Sequence, residues 1–347
     1  MVLRSLPNPV QALRLRSLQR SVRHLHGPLT VATARLEAVV LCVVKDGECL
    51  VDAFIEHYLQ LGFKHIFFLD NGSTDSTREI IAARQQTTLL TSSEPFSYYY
   101  ILFKDYLIQT FGLGKWCVLA DIDEFIYQPE STPLEIILAY LNERNYDTAC
   151  IQMLDMFAKA PLSLGAAHLP KNKQKKWTLS QLASTFCHYD LKDIERRKYV
   201  RWFGSRIHPA HRFFFGGIRK TVFNRDCFLT KEVMFFAQKN TRLASSHLLS
   251  SHLLKGSNLA DFSLAFLHYK FTEDFYTSTK EAVAAENHWR NSCEYKAYLD
   301  VLTATNRQTG LTLHQPSSQK LKRFDDLASA EFVFSSDEFA TFLSRVA

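Results

Sequence analysis

The sequence lacks several features that define common protein classes. In its 347 residues no apolar run approaches the roughly 20 residues that a membrane-spanning helix needs. The phosphate-binding patterns G-x-x-x-x-G-K-[ST] and G-x-G-x-x-G do not occur, and there is no internal repeat. These absences argue against a membrane-spanning helix, a P-loop enzyme and a dinucleotide-binding domain of the common type.

Cysteine is present, but in no pattern that serves a metal or a disulfide framework. The seven cysteines are scattered along the chain, and no C-x-x-C pair occurs. This spacing argues against a structural zinc site and against a disulfide-rich fold. The simplest prediction is a cytosolic protein with reduced thiols.

Acidic residues are missing from the first 36 positions, and this absence explains the positive charge of the chain. The net charge is +6, from 41 Lys and Arg against 35 Asp and Glu. Six arginines fall in this segment: Arg4, Arg14, Arg16, Arg20, Arg23 and Arg35. The remainder has equal numbers of basic and acidic residues, which does not favour binding to a nucleic-acid backbone.

The basic segment has a helical pattern, with apolar residues at spacings of three, four and three. The apolar face would consist of Leu15, Leu18, Val22 and Leu25, opposite Arg16, Arg20 and Arg23. Such a helix over residues 10–26 can lie on an anionic membrane surface. The alternatives are a helical extension packed on the domain, an unstructured leader or an organellar transit peptide. The arginines argue against a secretory signal peptide.

Strand and helix patterns alternate through the first half of the chain. Buried-strand patterns cover 37–44, 65–69 and 116–120, and helical patterns follow at 52–61 and 76–84. Further helices are predicted at 98–111 and 133–142, a long helical pattern at 274–302, and a surface linker at 315–322. This rhythm predicts an α/β fold with a parallel sheet and ligands at the carboxyl ends of its strands.

Two acidic motifs stand where buried strands end. Asp121 and Asp123 follow the strand WCVLA, so both carboxylates can reach one hard cation, Mg²⁺ or Mn²⁺. The other motif, DNGSTD at 70–75, opens a helix, so its backbone amides can face an anion and Asp70 can accept from a nucleobase or ribose. The alternative for the second motif is a plain turn in which Ser73 or Asp75 caps the helix.

These motifs resemble the bacterial family 2-like glycosyltransferases. The resemblance rests on VVKDGECLVDAFIEHYLQLGFKHIFFLDNGSTDSTREI followed by KWCVLADIDEF, and it extends to later blocks. Those blocks are GGIRKTVF (216–223), SSHLL (245–249), FLHYKF (266–271) and EAVAAENHW (281–289). It covers about residues 37–305.

The resemblance implies a GT-A fold, with a Rossmann-like, mainly parallel central sheet flanked by helices. The expected organisation is a basic N-terminal helical extension at 1–36, a glycosyltransferase domain at 37–305 and a C-terminal segment at 306–347. Within the domain, 37–155 would form the nucleotide and metal half, and 156–305 the acceptor half.

The resemblance also implies a metal site and a catalytic pair. Asp121 and Asp123 would be the metal motif for Mn²⁺ or Mg²⁺, and His268 is the candidate for a further ligand, with His252 as the alternative. Asp123 and Glu124 are the expected catalytic residues, although Glu124 can equally form a salt bridge in the fold. The general base is left open between residues such as Asp155 and His211.

The donor would occupy a pocket between the strand ends. Asp121 and four other residues would line the nucleotide side of this pocket: Val43, Lys45, Asp70 and Asn71. Arg219 and Lys220, which follow two glycines, could meet the diphosphate, and arginine suits bidentate phosphate contacts. Their alternative is a solvated loop.

The expected function is a metal-dependent glycosyltransferase that moves a sugar from a nucleotide-diphospho-sugar to a hydroxyl of a glycan or lipid-linked acceptor. The expected setting is surface polysaccharide synthesis in the cytoplasm, with peripheral contact to the inner membrane through residues 10–26. One alternative is an inactive, membrane-bound scaffold of the same fold. Another is a sugar-phosphate nucleotidyltransferase, which should carry a Gly-rich loop where this chain has Lys45-Asp46-Gly47-Glu48.

Overall fold

A computed structural model of the chain describes residues 9–162, 175–198, 207–241, 243, 257–286, 289–305 and 309–346. The strands are β1 (Arg23–His26), β2 (Ala38–Val44), β3 (His65–Asp70), β4 (Thr87–Thr91), β5 (Trp116–Leu119), β6 (Glu124–Tyr127), β7 (Thr148–Asp155), β8 (His188–Tyr189), β9 (Ile194–Lys198), β10 (Arg212–Gly216), β11 (Thr230–Phe236), β12 (Leu259–His268) and β13 (Gln319–Lys320).

The helices surround a nine-stranded central sheet. They are α1 (Pro9–Ser21), α2 (Val51–Gln60), α3 (Thr77–Ala82), α4 (Phe96–Leu107), α5 (Leu134–Glu143), α6 (Leu179–Thr185), α7 (Ile218–Phe223), α8 (Phe275–Ala285), α9 (Trp289–Ala304), α10 (Phe324–Ser329) and α11 (Asp337–Val346). A π-helical turn, Ile108–Gly112, continues α4.

The central sheet has the strand order β1-β4-β3-β2-β5-β11-β7-β12-β6. Strands β4, β3, β2 and β5 are parallel to their neighbours in that series, and β7 is parallel to β12. Strands β1, β6 and β11 run against them. The prediction of an α/β fold with a mostly parallel, helix-flanked sheet is confirmed, and the arrangement is Rossmann-like.

The parallel strands are apolar on both faces because helices cover the sheet. Every residue of β2 and β3 is buried. Their register places Val44 beside Asp70, and Leu41 of β2 lies beside Leu119 of β5. The carboxyl ends of these three strands therefore meet at one edge, where the 45–48, 70–75 and 121–124 segments begin.

The other half of the sheet brings a histidine to the same region. His268 ends β12, and the register of that strand places it opposite Asp155 of β7 on one side and Glu124 of β6 on the other. Three residues that are spread along the chain from position 124 to position 268 thus become neighbours through strand pairing alone.

The N-terminal extension differs from its prediction. Helix α1 ends at Ser21, and Arg23–His26 pairs antiparallel with β4, so the prediction of a helix over residues 10–26 is wrong beyond Ser21. Leu18 is fully buried and α1 packs against α4, whereas Leu15 and Leu25 are exposed. The unpaired edge of β4 offers backbone hydrogen bonds that a longer helix would leave unused. The described part of the extension therefore packs on the domain.

The C-terminal segments also differ from expectation. The helical pattern at 274–302 forms two helices, α8 and α9, and Glu286 ends α8 in a left-handed conformation. The linker predicted at 315–322 contains β13, which pairs with β8. Five side chains of the last 42 residues lie in the main hydrophobic core: Phe324, Leu327, Phe332, Val333 and Phe339. None of the helices in the described part of the chain is long and apolar enough to cross a membrane.

Candidate functional site

A cleft with a volume of about 980 Å³ opens at the carboxyl ends of the parallel strands. The strand ends contribute Val43, Lys45 and Asn71, and the turn after β5 contributes Asp121, Asp123 and Glu124. The far wall includes Arg219, His268, Lys270 and Asp274. This is the position at which α/β sheets of this kind bind their ligands.

The turn between β5 and β6 fixes the acidic motif. The backbone N–H of Glu124 donates to the carbonyl oxygen of Asp121 at 2.9 Å, and the Glu124 carboxylate accepts from the Asp121 N–H at 3.2 Å. Below the turn, the buried Tyr58 hydroxyl donates to the carbonyl of Glu124 at 2.9 Å. The backbone of the motif is therefore held from both sides.

Asp123, Glu124 and His268 form a group with the composition of a metal site. One potential ligand atom from each residue lies within 4.8 Å of the other two. The distance between His268 Nε2 and the Asp123 carboxylate is 3.1 Å. Two carboxylates and an imidazole fit a divalent transition ion such as Mn²⁺, and the nitrogen ligand makes the group less suited to Mg²⁺.

Asp155 orients the histidine of this group. Its Oδ1 lies 2.6 Å from His268 Nδ1, and since a carboxylate only accepts, Nδ1 must carry the proton. Burial works to lower the pKa of His268, but Asp123 and Asp155 outweigh it and raise the pKa. A metal ion would therefore take the place of a proton on Nε2, which lies 3.1 Å from the Asp123 carboxylate. A carboxylate behind a ligating histidine is the usual second partner at protein metal sites.

Arg219 fixes Asp155 in turn. Its Nε and Nη2 donate to the two oxygens of Asp155 at 2.8 and 2.7 Å, and both side chains are buried. Burial works to raise the pKa of Asp155, but Arg219 and His268 outweigh it and hold the pKa well below its usual range. Asp155 therefore stays ionised beneath the site.

Asp121 has a different environment from Asp123. Its Oδ1 lies 2.8 Å from Lys104 Nζ, and its Oδ2 lies 3.8 Å from Lys231 Nζ. Burial works to raise the pKa of Asp121, but these two ammonium groups outweigh it and lower the pKa to about 2. The nearest charged partners of this carboxylate are lysines, and it lies outside the group formed with His268.

Glu124 is also in contact with Lys231, through its other carboxylate oxygen. It therefore makes the salt bridge that the sequence offered as one of its roles. Lys231 would have to release this carboxylate before Glu124 could act as a full metal ligand. Asp123 and His268 are the two side chains of the group without such a lysine contact in the described structure.

Of the remaining residues predicted to bind the sugar donor, some line the cleft and others do not. Val43, Lys45 and Asn71 line the cleft, as does Arg219, although its guanidinium is engaged by Asp155. Asp70 is fully buried beneath the loop that follows it, and it accepts from the N–H groups of Gly72 and Ser73 and from Arg78. Lys220 is directed to Asp226 at 3.6 Å and does not line the cleft.

Neither of the two residues considered as general bases is placed for that role. Asp155 is engaged by Arg219 and His268, and buried His211 is bonded through Nε2 to the carbonyl of Ala260, away from the cleft lining. Asp274 does line the cleft, and burial, with Asp123 and Glu273 nearby, raises its pKa. His252 and the SSHLL block lie outside the described residues.

Sequence reasoning missed three lysines that line the cleft: Lys104, Lys231 and Lys270. Each did carry a signal. Lys104 interrupts the apolar helix FSYYYILFKDYL, and Lys231 stands in a strand whose first six residues are buried. Lys270 follows His268 by two positions, and its Nζ lies 3.2 Å from the Tyr295 hydroxyl. A lysine inside an apolar segment needs a buried partner or a ligand.

Comparisons with known proteins do not identify a family. No protein-family model matches the chain, and no curated protein matches it significantly. The functional argument therefore depends on the geometry of the cleft and on the motifs that line it.

Proposed function

We propose that this chain is a metal-dependent glycosyltransferase of the GT-A type. It would move a sugar from a nucleotide-diphospho-sugar to a hydroxyl group of a glycan or lipid-linked acceptor. The observation that carries the proposal is the convergence of Asp123, Glu124 and His268 on the wall of a large cleft at the carboxyl ends of parallel strands. The DxDEF and DNGSTD motifs of the sequence meet at this same edge.

A divalent ion would be held by Asp123 and His268, with Glu124 beside them. When bound, such an ion supplies positive charge that stabilises the departing diphosphate as a Lewis acid. The chain contributes the orientation of the ligands, since Asp155 holds the proton on Nδ1 of His268 and Arg219 holds Asp155 in place.

The nucleotide would lie over the ends of β2 and β3. Lys45 and Asn71 line this part of the cleft, and the side-chain amide of Asn71 donates to the carbonyls of Ser92 and Glu94, which fixes the loop. The buried Asp70 acts from below by holding the backbone of that loop. Its role in donor binding would be positioning, not direct contact.

The transfer itself requires a base for the acceptor. The acceptor oxygen forms a bond to the anomeric carbon while the bond from that carbon to the diphosphate oxygen breaks, and the acceptor proton passes to a base. Asp274 is suited to this role because it lines the cleft. Burial and the neighbouring acids raise its pKa towards neutral pH, where a general base works best.

A calorimetric titration tests the proposal. UDP and GDP are titrated into the purified chain with and without Mn²⁺, and the measurement is repeated with Asp123→Asn. The matched control is Asp52→Asn. Asp52 lies on α2 and its carboxylate, at the surface, forms a salt bridge with Arg84. We expect one nucleotide to bind in a Mn²⁺-dependent manner, with this dependence lost in Asp123→Asn and retained in Asp52→Asn.

Failure of every nucleoside diphosphate to bind the folded chain in the presence of Mn²⁺ would contradict the proposal. That result would favour the inactive scaffold instead. Binding that is equally tight without metal would retain a nucleotide-dependent function but reject the metal site.

A further inference from the structure

The floor of the cleft contains two buried lysines that come from different elements. Lys104 belongs to α4 and Lys231 to β11, and their side chains are only 8% and 6% exposed. They lie at opposite oxygens of a single carboxylate, that of Asp121. Burying one ammonium group costs free energy, and burying two close together costs more, unless opposite charges or hydrogen-bond acceptors compensate them.

The hydrogen-bonding capacity of these lysines exceeds the partners that the described residues provide. A lysine ammonium has three N–H donors. Lys104 Nζ has one polar contact in the described part of the chain, with Asp121 Oδ1, and Lys231 Nζ contacts Glu124 and more distantly Asp121. Since both lysines line the cleft, their remaining donors are available to a group bound there.

The environment keeps Lys104 charged. Burial works to lower its pKa, but Asp121 and Glu124 outweigh burial and raise the pKa above its ordinary value. The two acids therefore keep the Lys104 ammonium group protonated at neutral pH. Asp121, with Lys104 and Lys231 on its two oxygens, fixes the position of both cations at once.

We infer that Lys104 and Lys231 form a phosphate-binding site in the cleft floor that operates without a metal ion. Asp121 is then a positioning residue that sets the two ammonium groups, and not a metal ligand. The chemical class of the ligand is a diphosphate. Its oxygens would accept hydrogen bonds from the remaining N–H groups of the two lysines, which bind phosphate as point charges. The inference rests on the proposed function only for its assignment of the diphosphate to a nucleotide donor.

The site is tested with inorganic pyrophosphate as the probe, titrated calorimetrically in the presence of EDTA. We expect the wild-type chain to bind pyrophosphate and Lys104→Met and Lys231→Met to bind it at least tenfold more weakly. Lys64→Met is the matched control, because Lys64 is an exposed lysine that also pairs with an acid, Glu37. It should bind like the wild type.

A second variant guards against loss of folding. Lys104→Met alone leaves Asp121 without its closest cation, whereas Lys104→Met/Asp121→Asn removes both charges and is expected to fold. This double variant should keep the wild-type thermal midpoint and still bind pyrophosphate at least tenfold more weakly. Wild-type affinity in the double variant, or no pyrophosphate binding by the wild type in EDTA, would overturn the inference.

Competition and metal dependence separate this inference from the proposed function. Displacement of pyrophosphate by UDP or GDP supports the assignment to the donor, and the absence of displacement overturns that assignment. Asp123→Asn should lose the Mn²⁺-dependent nucleotide binding and keep the metal-free pyrophosphate binding. Metal-free binding without any nucleotide binding would leave the lysine site standing and reject the glycosyltransferase.

Discussion

At the scale of single residues, the buried ion pair between Arg219 and Asp155 has the largest consequences. The pair lies directly behind His268, and both members are almost completely removed from water. A buried carboxylate that loses its cation keeps a charge it cannot solvate. The stability of the chain and the orientation of His268 therefore depend on the same guanidinium.

Arg219→Met should destabilise the folded chain by about 3–5 kcal/mol, because Asp155 is left buried without its bidentate partner. The free energy of unfolding is measured by urea titration at neutral pH. Arg196→Met is the control, since Arg196 pairs with Glu331 at the surface and its loss should cost about 1 kcal/mol or less. Equal losses in the two variants would contradict the structural role assigned to Arg219.

In the proposed transfer reaction, Asp274→Asn should lower turnover by about 10²–10⁴-fold, because an amide cannot take up the proton of the acceptor hydroxyl. Nucleotide affinity should be unchanged, since Asp274 has no place in the donor contacts. Turnover is measured as nucleoside diphosphate release in the presence of acceptor. A parallel loss of affinity and turnover would assign Asp274 to binding instead of proton transfer.

The sequence located part of this site and missed another part for a physical reason. Asp121, Asp123 and Glu124 belong to one short motif, so their proximity is guaranteed by the chain itself. Lys231 reaches them only because β11 inserts between β5 and β7, and nothing local in TKEVMFF predicts that insertion. Motifs reveal contacts that are near along the chain, and strand order decides the rest.

At the scale of elements, the short connection between β10 and α7 positions Arg219. Gly216 and Gly217 have φ values of +90° and +65°, which L-residues with a side chain rarely adopt. A Cβ added at Gly216 would lie 2.5 Å from the carbonyl oxygen of Asp193. The start of α7, and with it Arg219, depends on this close backbone approach.

Gly216→Ala should therefore destabilise the chain by more than Gly114→Ala. Both glycines have positive φ, so both substitutions introduce strain of about 1–3 kcal/mol. At Gly114 an added Cβ would meet no atom within 4 Å, so the additional loss at Gly216 measures the steric clash. Chemical denaturation of the two variants supplies the comparison, and equal stability would contradict the close approach.

The elements also show where sequence patterns reach their limit. The strands at 38–44, 65–70 and 116–119 agree with their predictions to within one residue, because continuous apolar runs between turn signals define them. The helical pattern of the extension runs over residues 10–26, yet Arg23–His26 forms a strand that pairs with β4. The spacing of apolar residues in this segment favours a helix, but the folded sheet offers the unpaired edge of β4, with which the segment pairs instead.

At the scale of the whole molecule, several histidines are buried in neutral form. The half-buried His57 and the buried His211 each donate through Nε2 to a backbone carbonyl oxygen, that of Ile126 and that of Ala260, and the buried His65 forms a hydrogen bond with the hydroxyl of Thr88. None of these partners is charged. Burial lowers the pKa of His57, His65 and His211 to about 4 in each case.

The chain should consequently lose stability as the pH falls from about 6.5 towards 4. In this window the unfolded chain takes up protons at these histidines and the folded chain does not, so acid favours unfolding. Each histidine contributes a loss of at most about 2 kcal/mol at pH 5. Urea midpoints between pH 7 and pH 5 measure the slope, which His65→Gln should reduce. A midpoint that does not change with pH would contradict the assignment.

The central claim is that Asp123 and His268 hold a divalent ion beside a nucleoside diphosphate. The most direct measurement is anomalous diffraction at the manganese edge from crystals grown with Mn²⁺ and the nucleoside diphosphate that binds in calorimetry. The predicted result is one strong manganese peak within coordination distance of an Asp123 carboxylate oxygen and His268 Nε2. A nucleotide bound in the cleft with no manganese at these two residues would contradict the account.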